Sequence, residues 1–131
     1  MKKLLGSLEL NRIYQLDVNI GMKLIPDNSI SLILADPPYN IGKKGKYLEA
    51  NNKKFRTVKE DWDTIDDFES FTYSWLEESY RVLKPGGSLL TYGTKHNIYM
   101  TGWFIEKIGF QIRSEYTWYK TNAAPCWTGR N

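Results

Sequence analysis

Polar and apolar positions along the chain switch between a period of two and a period near four, and the switches mark its elements. RIYQL at 12–16 alternates before Asp17, which predicts a strand over 12–16 ending at that acid. NIGMKLI at 19–25 predicts a short helix and PDNS at 26–29 a turn. ISLILA at 30–35 is almost continuously apolar, the pattern of a parallel strand covered on both faces. Residues 43–59, KKGKYLEANNKKFRTVK, show no period and predict a long loop. Phe68, Phe71, Trp75, Leu76, Val82 and Leu83 then recur at helical spacing. Acids lead this segment and bases close it, as a helix macrodipole favours, with Thr64 or Asp66 as the expected cap. KPGG at 84–87 is expected to end that helix in a turn, SLLTYG at 88–93 to form a third strand, and Thr94 to cap a helix over 95–108 that Gly109 stops. FQIRSEYTWYK at 110–120 alternates again and predicts a fourth strand. Trp75, Trp103 and Trp118 are expected in the core, Trp62 and Trp127 at the surface. The order βαβ, loop, αβαβ implies an α/β layered fold of Rossmann type in one domain, without repeats.

Composition narrows the partners. A chain of 131 residues with 41% hydrophobic and 15% aromatic residues can bury a core and does not read as disordered. The net charge is only +3, so any affinity for nucleic acid has to come from a local basic cluster. One cysteine, Cys126, excludes an internal disulfide. The start MKKLLGSLEL breaks its apolar stretch too soon for a signal peptide, and no run reaches the roughly 20 apolar residues that span a bilayer. A cytoplasmic protein without membrane contact is expected.

The chemistry concentrates in LILADPPYNIG at 32–42. A residue before proline is driven into an extended conformation, and two prolines cannot donate to a sheet ladder, so Asp36 is expected at the carboxyl end of the strand and Pro37–Pro38 beyond it. Ligands of open α/β sheets bind at that edge. Parallel crossover geometry would bring Asp17 to the same edge, so that two carboxylates face one crevice. With ordinary residue frequencies, DPPY arises by chance in a chain of this length on the order of once in two thousand. A rigid turn with an aromatic lid would account for the prolines but requires no carboxylate before them.

These residue types share a use. The exocyclic amine of a nucleobase is a poor nucleophile, because its lone pair is delocalised into the ring. Acceptors aimed at its hydrogens draw the nitrogen toward tetrahedral geometry and stabilise the charge that develops on it. Asp36 and the Pro37 carbonyl can be those acceptors, and Tyr39, on a proline-stiffened backbone, can stack on the base, a contact worth about 1–3 kcal/mol. Extruding the base from a duplex costs a few kcal/mol, which such a platform helps to offset.

DPPYN after SLILA, LDVNIGMKLIPDNSI before it, RVLKPGGSLLTYG after it and WYKTN near the end resemble the amino-methylating DNA methyltransferases, the N6-adenine and N4-cytosine enzymes. The order is similar to that of the β class, in which the catalytic motif precedes the cofactor motif. This resemblance implies a Rossmann-like fold, S-adenosylmethionine as cofactor and double-stranded DNA as substrate, in a restriction–modification setting. It implies Asp36, Pro37, Pro38 and Tyr39 as the catalytic pocket, with Asp36 also beside the cofactor and Asp17 at its adenine ring. Members with Asp at the first motif position usually methylate adenine N6, and those with Ser more often cytosine N4, so Asp36 favours adenine. The chain lacks the Phe-x-Gly-x-Gly loop of the family and a target-recognition region. The expectation is therefore an amino-terminal half over 1–131 with an incomplete sheet. Such a half would be weakly active alone, and a second chain or a homodimer is the expected partner.

Lys43, Lys44, Lys46, Lys53, Lys54, Arg56 and Lys59 stand against a single acid, Glu49, directly after the motif. With Asn40 they are candidate contacts to the phosphates around a flipped base. Pro125–Cys126 has no buried strand before it and reads as a lone thiol, not as a cytosine-C5 nucleophile. His96, expected in the first turn of a helix, has no cysteine partners at ligand spacing, and no metal site is expected. Three other readings stay open: a non-catalytic DNA-binding or regulatory fragment of such an enzyme, an N4-cytosine DNA methyltransferase, and an amino-methyltransferase of RNA or protein amides.

Overall fold

A computed structural model describes residues 3–40, 48–50, 53–55, 63–119 and 121. The chain opens with an antiparallel hairpin of β1 (Leu4–Leu5) and β2 (Leu8–Glu9). Residues 12–16 form no strand, and Ile13 is wholly exposed. Alternation makes a strand only where a ladder partner takes its N–H and C=O groups, and none lies beside this segment among the described residues. The Tyr14 hydroxyl instead turns back to Glu9, accepting from its amide at 2.6 Å.

Asp17 therefore does not end a strand. Its carboxylate accepts the Asn19 amide at 2.9 Å and caps α1 (Val18–Gly21), which runs on into a 3-10 turn at Met22–Leu24, as the short-helix pattern predicts. The apolar run forms β3 (Ile30–Ala35). Within the expected loop lie two short strands, β4 (Leu48–Ala50) and β5 (Lys53–Phe55), paired antiparallel. Each is only three residues long and carries charge, which hides any alternation in the sequence.

The helical pattern yields α2 (Phe68–Val82), whose buried positions Thr72, Trp75, Leu76, Ser79 and Val82 follow the spacing of one helix face. Its cap is neither Thr64 nor Asp66 but Asp67, which accepts the Ser70 amide at 3.0 Å. Hydrogen bonds to Ser70 hold the Asp67 carboxyl below its ordinary pKa. At the other end Arg81 clamps the preceding turn. It bonds the Ile25 carbonyl at 3.0 Å, the Met22 carbonyl at 2.9 Å, Glu78 at 2.7 Å, and Asp27.

β6 (Leu83–Thr91) starts directly after α2 and pairs in parallel with β3, from Ile30 opposite Leu83 to Ala35 opposite Thr91. KPGG is thus no inter-element turn. Leu83 enters the ladder first, and Lys84–Gly87 bulge out before pairing resumes at Ser88 opposite Leu32, with Gly86 at φ +79°. α3 (Ile98–Ile108) begins after a turn at 94–97, with Asn97 in the cap position in place of Thr94 and with His96 outside the helix. Gly109 closes it in the left-handed region, as expected.

The core lies where α2 and α3 pack on one face of the sheet: Trp75, Leu76 and Phe104 are buried, with Ala35, Phe71, Leu89, Met100 and Ile108 against them. Tyr73 meets Phe104 edge-on at 5.4 Å. Trp103 and Trp118, expected inside, are 57% and 76% exposed. Trp62, Trp127 and Cys126 lie outside the described residues. Residues 110–119 form no strand, and Tyr116 and Tyr119 point to solvent. Among the described residues β3 and β6 pair only with each other, so one parallel βαβ unit replaces the expected four-stranded sheet. The face of that pair carrying Leu32, Leu34 and Leu90 is exposed. No helix among the described residues is long and apolar enough to cross a membrane.

Candidate active site

β3 stops at Ala35 because the two residues after Asp36 are prolines, and the Tyr92 amide closes the ladder on the Ala35 carbonyl at 3.0 Å. Asp36 stands exposed just past the strand end, and Pro37, Pro38 and Tyr39 are half-buried behind it. The Tyr39 hydroxyl donates to Asp36 Oδ1. Burial, that hydrogen bond and the nearby Asp36 charge push the Tyr39 phenol up to about 12. A cleft of about 310 Å³ opens beside the motif. It is lined by Ile33, Leu34 and Ala35 of β3, by Asp36, Pro37 and Pro38 of the motif, by Phe71, Trp75 and Ser79 of α2, and by Val18 of α1.

The motif is held from behind by residues that neither composition nor spacing singles out. Asp63, buried, accepts the Tyr39 amide at 2.7 Å and the Asn40 amide at 2.8 Å through one carboxylate oxygen. Asn40 has φ +54°, a left-handed conformation that Asn tolerates. Its side chain bonds the Ile65 backbone in both directions, each at 3.1 Å. Asn97, also buried, accepts the Thr94 amide at 2.7 Å and reaches the Tyr39 carbonyl at 3.5 Å.

Of the other expected site residues, Asp17 caps α1 one position before Val18, which lines the cleft, but is not itself in the lining. Asn40 sits in the bonds to Ile65, with one N–H and one lone-pair direction left for another partner. Lys53 and Lys54 fall in β5. Lys43, Lys44, Lys46, Arg56 and Lys59 lie outside the described residues. The arrangement places a carboxylate just past a strand end, a tyrosine hydroxyl bonded to it and a mainly apolar cleft beside it.

A profile of the DNA methylase family matches residues 30–130. The chain is 40% identical over 123 residues to Type II methyltransferase M.HinfI of Haemophilus influenzae, which covers 92% of this chain and 34% of that protein. It is 39% identical over 106 residues to Type II methyltransferase M2.DpnII of Streptococcus pneumoniae, covering 79% of this chain and 39% of that protein. The chain thus spans little more than a third of the length of these curated relatives. On the profile match and on both identities, the chain belongs to the DNA methylase family.

Proposed function

We propose that residues 1–131 carry the base pocket of a site-specific DNA methyltransferase acting on adenine N6 with S-adenosylmethionine as methyl donor. The observation that carries this reading is Asp36 at the carboxyl end of β3, bonded to Tyr39 and bordering the cleft. Membership of the DNA methylase family favours DNA as substrate, and Asp36 in the first motif position favours adenine. The parallel β3–α2–β6 unit supports an incomplete Rossmann-like methyltransferase fold as the architecture.

The cleft suits the cofactor in kind. Its lining is mainly apolar, Asp36 borders it where a cationic group is favoured, and Trp75 Nε1 is buried with no hydrogen-bond partner among the described residues. Val18, Phe71, Trp75 and Asp36 would hold the cofactor, with Asp17 beside Val18 toward its adenine ring. When bound, it supplies an electrophilic methyl group. The protein's own part is to present the nitrogen. Tyr39 donates to one Asp36 oxygen, which fixes the carboxylate and leaves its other oxygen to accept from the amine. The Pro37 carbonyl accepts the second amine hydrogen, and the Tyr39 ring supports the base face. Attack would be direct, so no nucleophilic side chain is required, and the proton that the methylated amine sheds would leave along its hydrogen bond to Asp36 toward solvent. Asn40 and the basic residues of 43–59 would follow the phosphates around the flipped base. A second polypeptide segment, or a second copy, covering the exposed sheet face belongs to the same reading.

The test is methyl transfer from labelled S-adenosylmethionine to duplex DNA, by the chain alone and mixed with the remainder of a relative such as M.HinfI. Labelled N6-methyladenine is expected from the mixture, and Asp36→Ala is expected to abolish it. Label in N4-methylcytosine would overturn the assignment to adenine, and label in RNA or protein the assignment to DNA. Undiminished labelling with Asp36→Ala would overturn the pocket.

A further inference from the structure

Asp63 has no part in the chemistry proposed above, yet it is a buried carboxylate 24 positions from the residue it serves. Burying an ionised carboxylate is unfavourable unless donors replace the water it loses. Two of its donors are the consecutive amides of Tyr39 and Asn40, both meeting Oδ1. Charge-assisted bonds of this kind are shorter and stronger than neutral ones. A point acceptor shared by two successive N–H groups fixes the rotation of the backbone that carries them. That backbone bears the Tyr39 side chain, whose hydroxyl meets Asp36.

Two further contacts act on the same spot. The reciprocal Asn40–Ile65 pair joins the same two stretches of chain, and Asn97 reaches the Tyr39 carbonyl from the turn before α3. The two described positions that flank residues 41–62, Asn40 and Asp63, are thus bonded directly to each other at the motif.

We infer that Asp63 is a positioning residue: its carboxylate, on the Tyr39 and Asn40 amides, fixes the backbone that sets the Tyr39 hydroxyl against Asp36. This rests on the proposed use of Asp36 and Tyr39. A carboxylate in the Asp63 place acts through the backbone, by the position of its oxygen and by the strength that its charge lends to both bonds.

The experiment compares the 131-residue chain with its Asp63→Asn, Asp63→Ala and Asp63→Glu variants, without DNA or cofactor. It reads the exchange rates of the Tyr39 and Asn40 amides and the titration of the Tyr39 phenol in tyrosine-labelled protein, assigned with Tyr39→Phe. Asp63→Asn keeps an acceptor oxygen without the charge and is expected to shift both readouts less than Asp63→Ala does. Asp63→Ala is expected to speed exchange of the two amides about tenfold or more and to lower the phenol midpoint from about 12 toward its ordinary 10.0. Asp63→Glu moves the carboxylate outward by one methylene and is expected to shift both readouts even where the Ala variant fails to fold. Unchanged amides and phenol in Asp63→Ala or Asp63→Glu, or an Asn variant that behaves like Ala, would overturn the inference. In the methyl-transfer mixture, Asp63→Ala is expected to lower turnover by roughly tenfold to a hundredfold, the scale of a small misplacement of reacting groups. The tyrosine and amide readouts need no activity, so they separate failure of this inference from failure of the proposed reaction.

Discussion

Tyr39 donates its proton to a carboxylate and lies partly out of water, and both effects favour the neutral phenol. Its folded value of about 12 lies above the ordinary 10.0, so this contribution to stability is complete below pH 10. It is lost as the pH rises from 10 toward 12. Burial is the largest cause of the shift, ahead of the hydrogen bond and charge of Asp36. Asp36→Ala is therefore expected to return the midpoint only part of the way to 10, and Asp36→Asn, which keeps an acceptor without the charge, to return it less far. Titration of the labelled phenol reads this directly, and a midpoint unmoved by Asp36→Ala would mean that the two groups do not meet in solution. At this scale the sequence shows half of the site. Asp36 through Tyr39 are legible because proline chemistry places them at a strand end whatever the rest of the fold does. Asp63 and Asn97 are not, because their partners lie 24 and 58 positions away and nothing local marks a carboxylate or an amide as their acceptor and donor.

Elements are legible in proportion to how far their own residues decide them. α2 and α3 carry their apolar stripe within a few turns, and β3 is a six-residue apolar run, so all three follow from pattern alone. The segments 12–16 and 110–119 alternate as strands do, but a strand also needs a ladder neighbour, which they lack among the described residues. β4 and β5 escape the pattern because three residues are too few to show a period. They place Lys53 and Lys54 on β5, in the segment between Asn40 and Asp63, two residues that are bonded to each other. If that segment follows DNA phosphates, each neutralised contact releases about 0.9 counterion fewer on binding. Replacing Lys43, Lys44 and Lys46 together with Gln is then expected to flatten the slope of log affinity against log salt by about two to three. Binding titrations over a salt series measure it, and an unchanged slope would exclude phosphate contact by these lysines.

Over the whole molecule, the βαβ unit is covered on one face and open on the other. α2 and α3 bury Ala35 and Leu89 from one side, while Leu32, Leu34 and Leu90 on the other are 59%, 66% and 50% exposed. Parallel sheets are ordinarily covered on both faces, and β3 also has an edge without a partner among the described residues. A contiguous apolar face of this kind promotes association. The two faces should consequently answer substitution in opposite ways. Leu76→Ala opens a cavity in a fully buried site and is expected to lower stability by about 2–5 kcal/mol in urea unfolding. Leu34→Lys, on the open face, should stay within about 0.5 kcal/mol of the unmodified chain, as surface changes do. The same substitution should reduce both the fluorescence of an apolar dye bound to the 131-residue chain and its self-association in sedimentation velocity. A Leu34→Lys variant as unstable as Leu76→Ala would mean that this face is covered in solution. The apolar character of β3 would then serve the interior of this chain instead of an open surface.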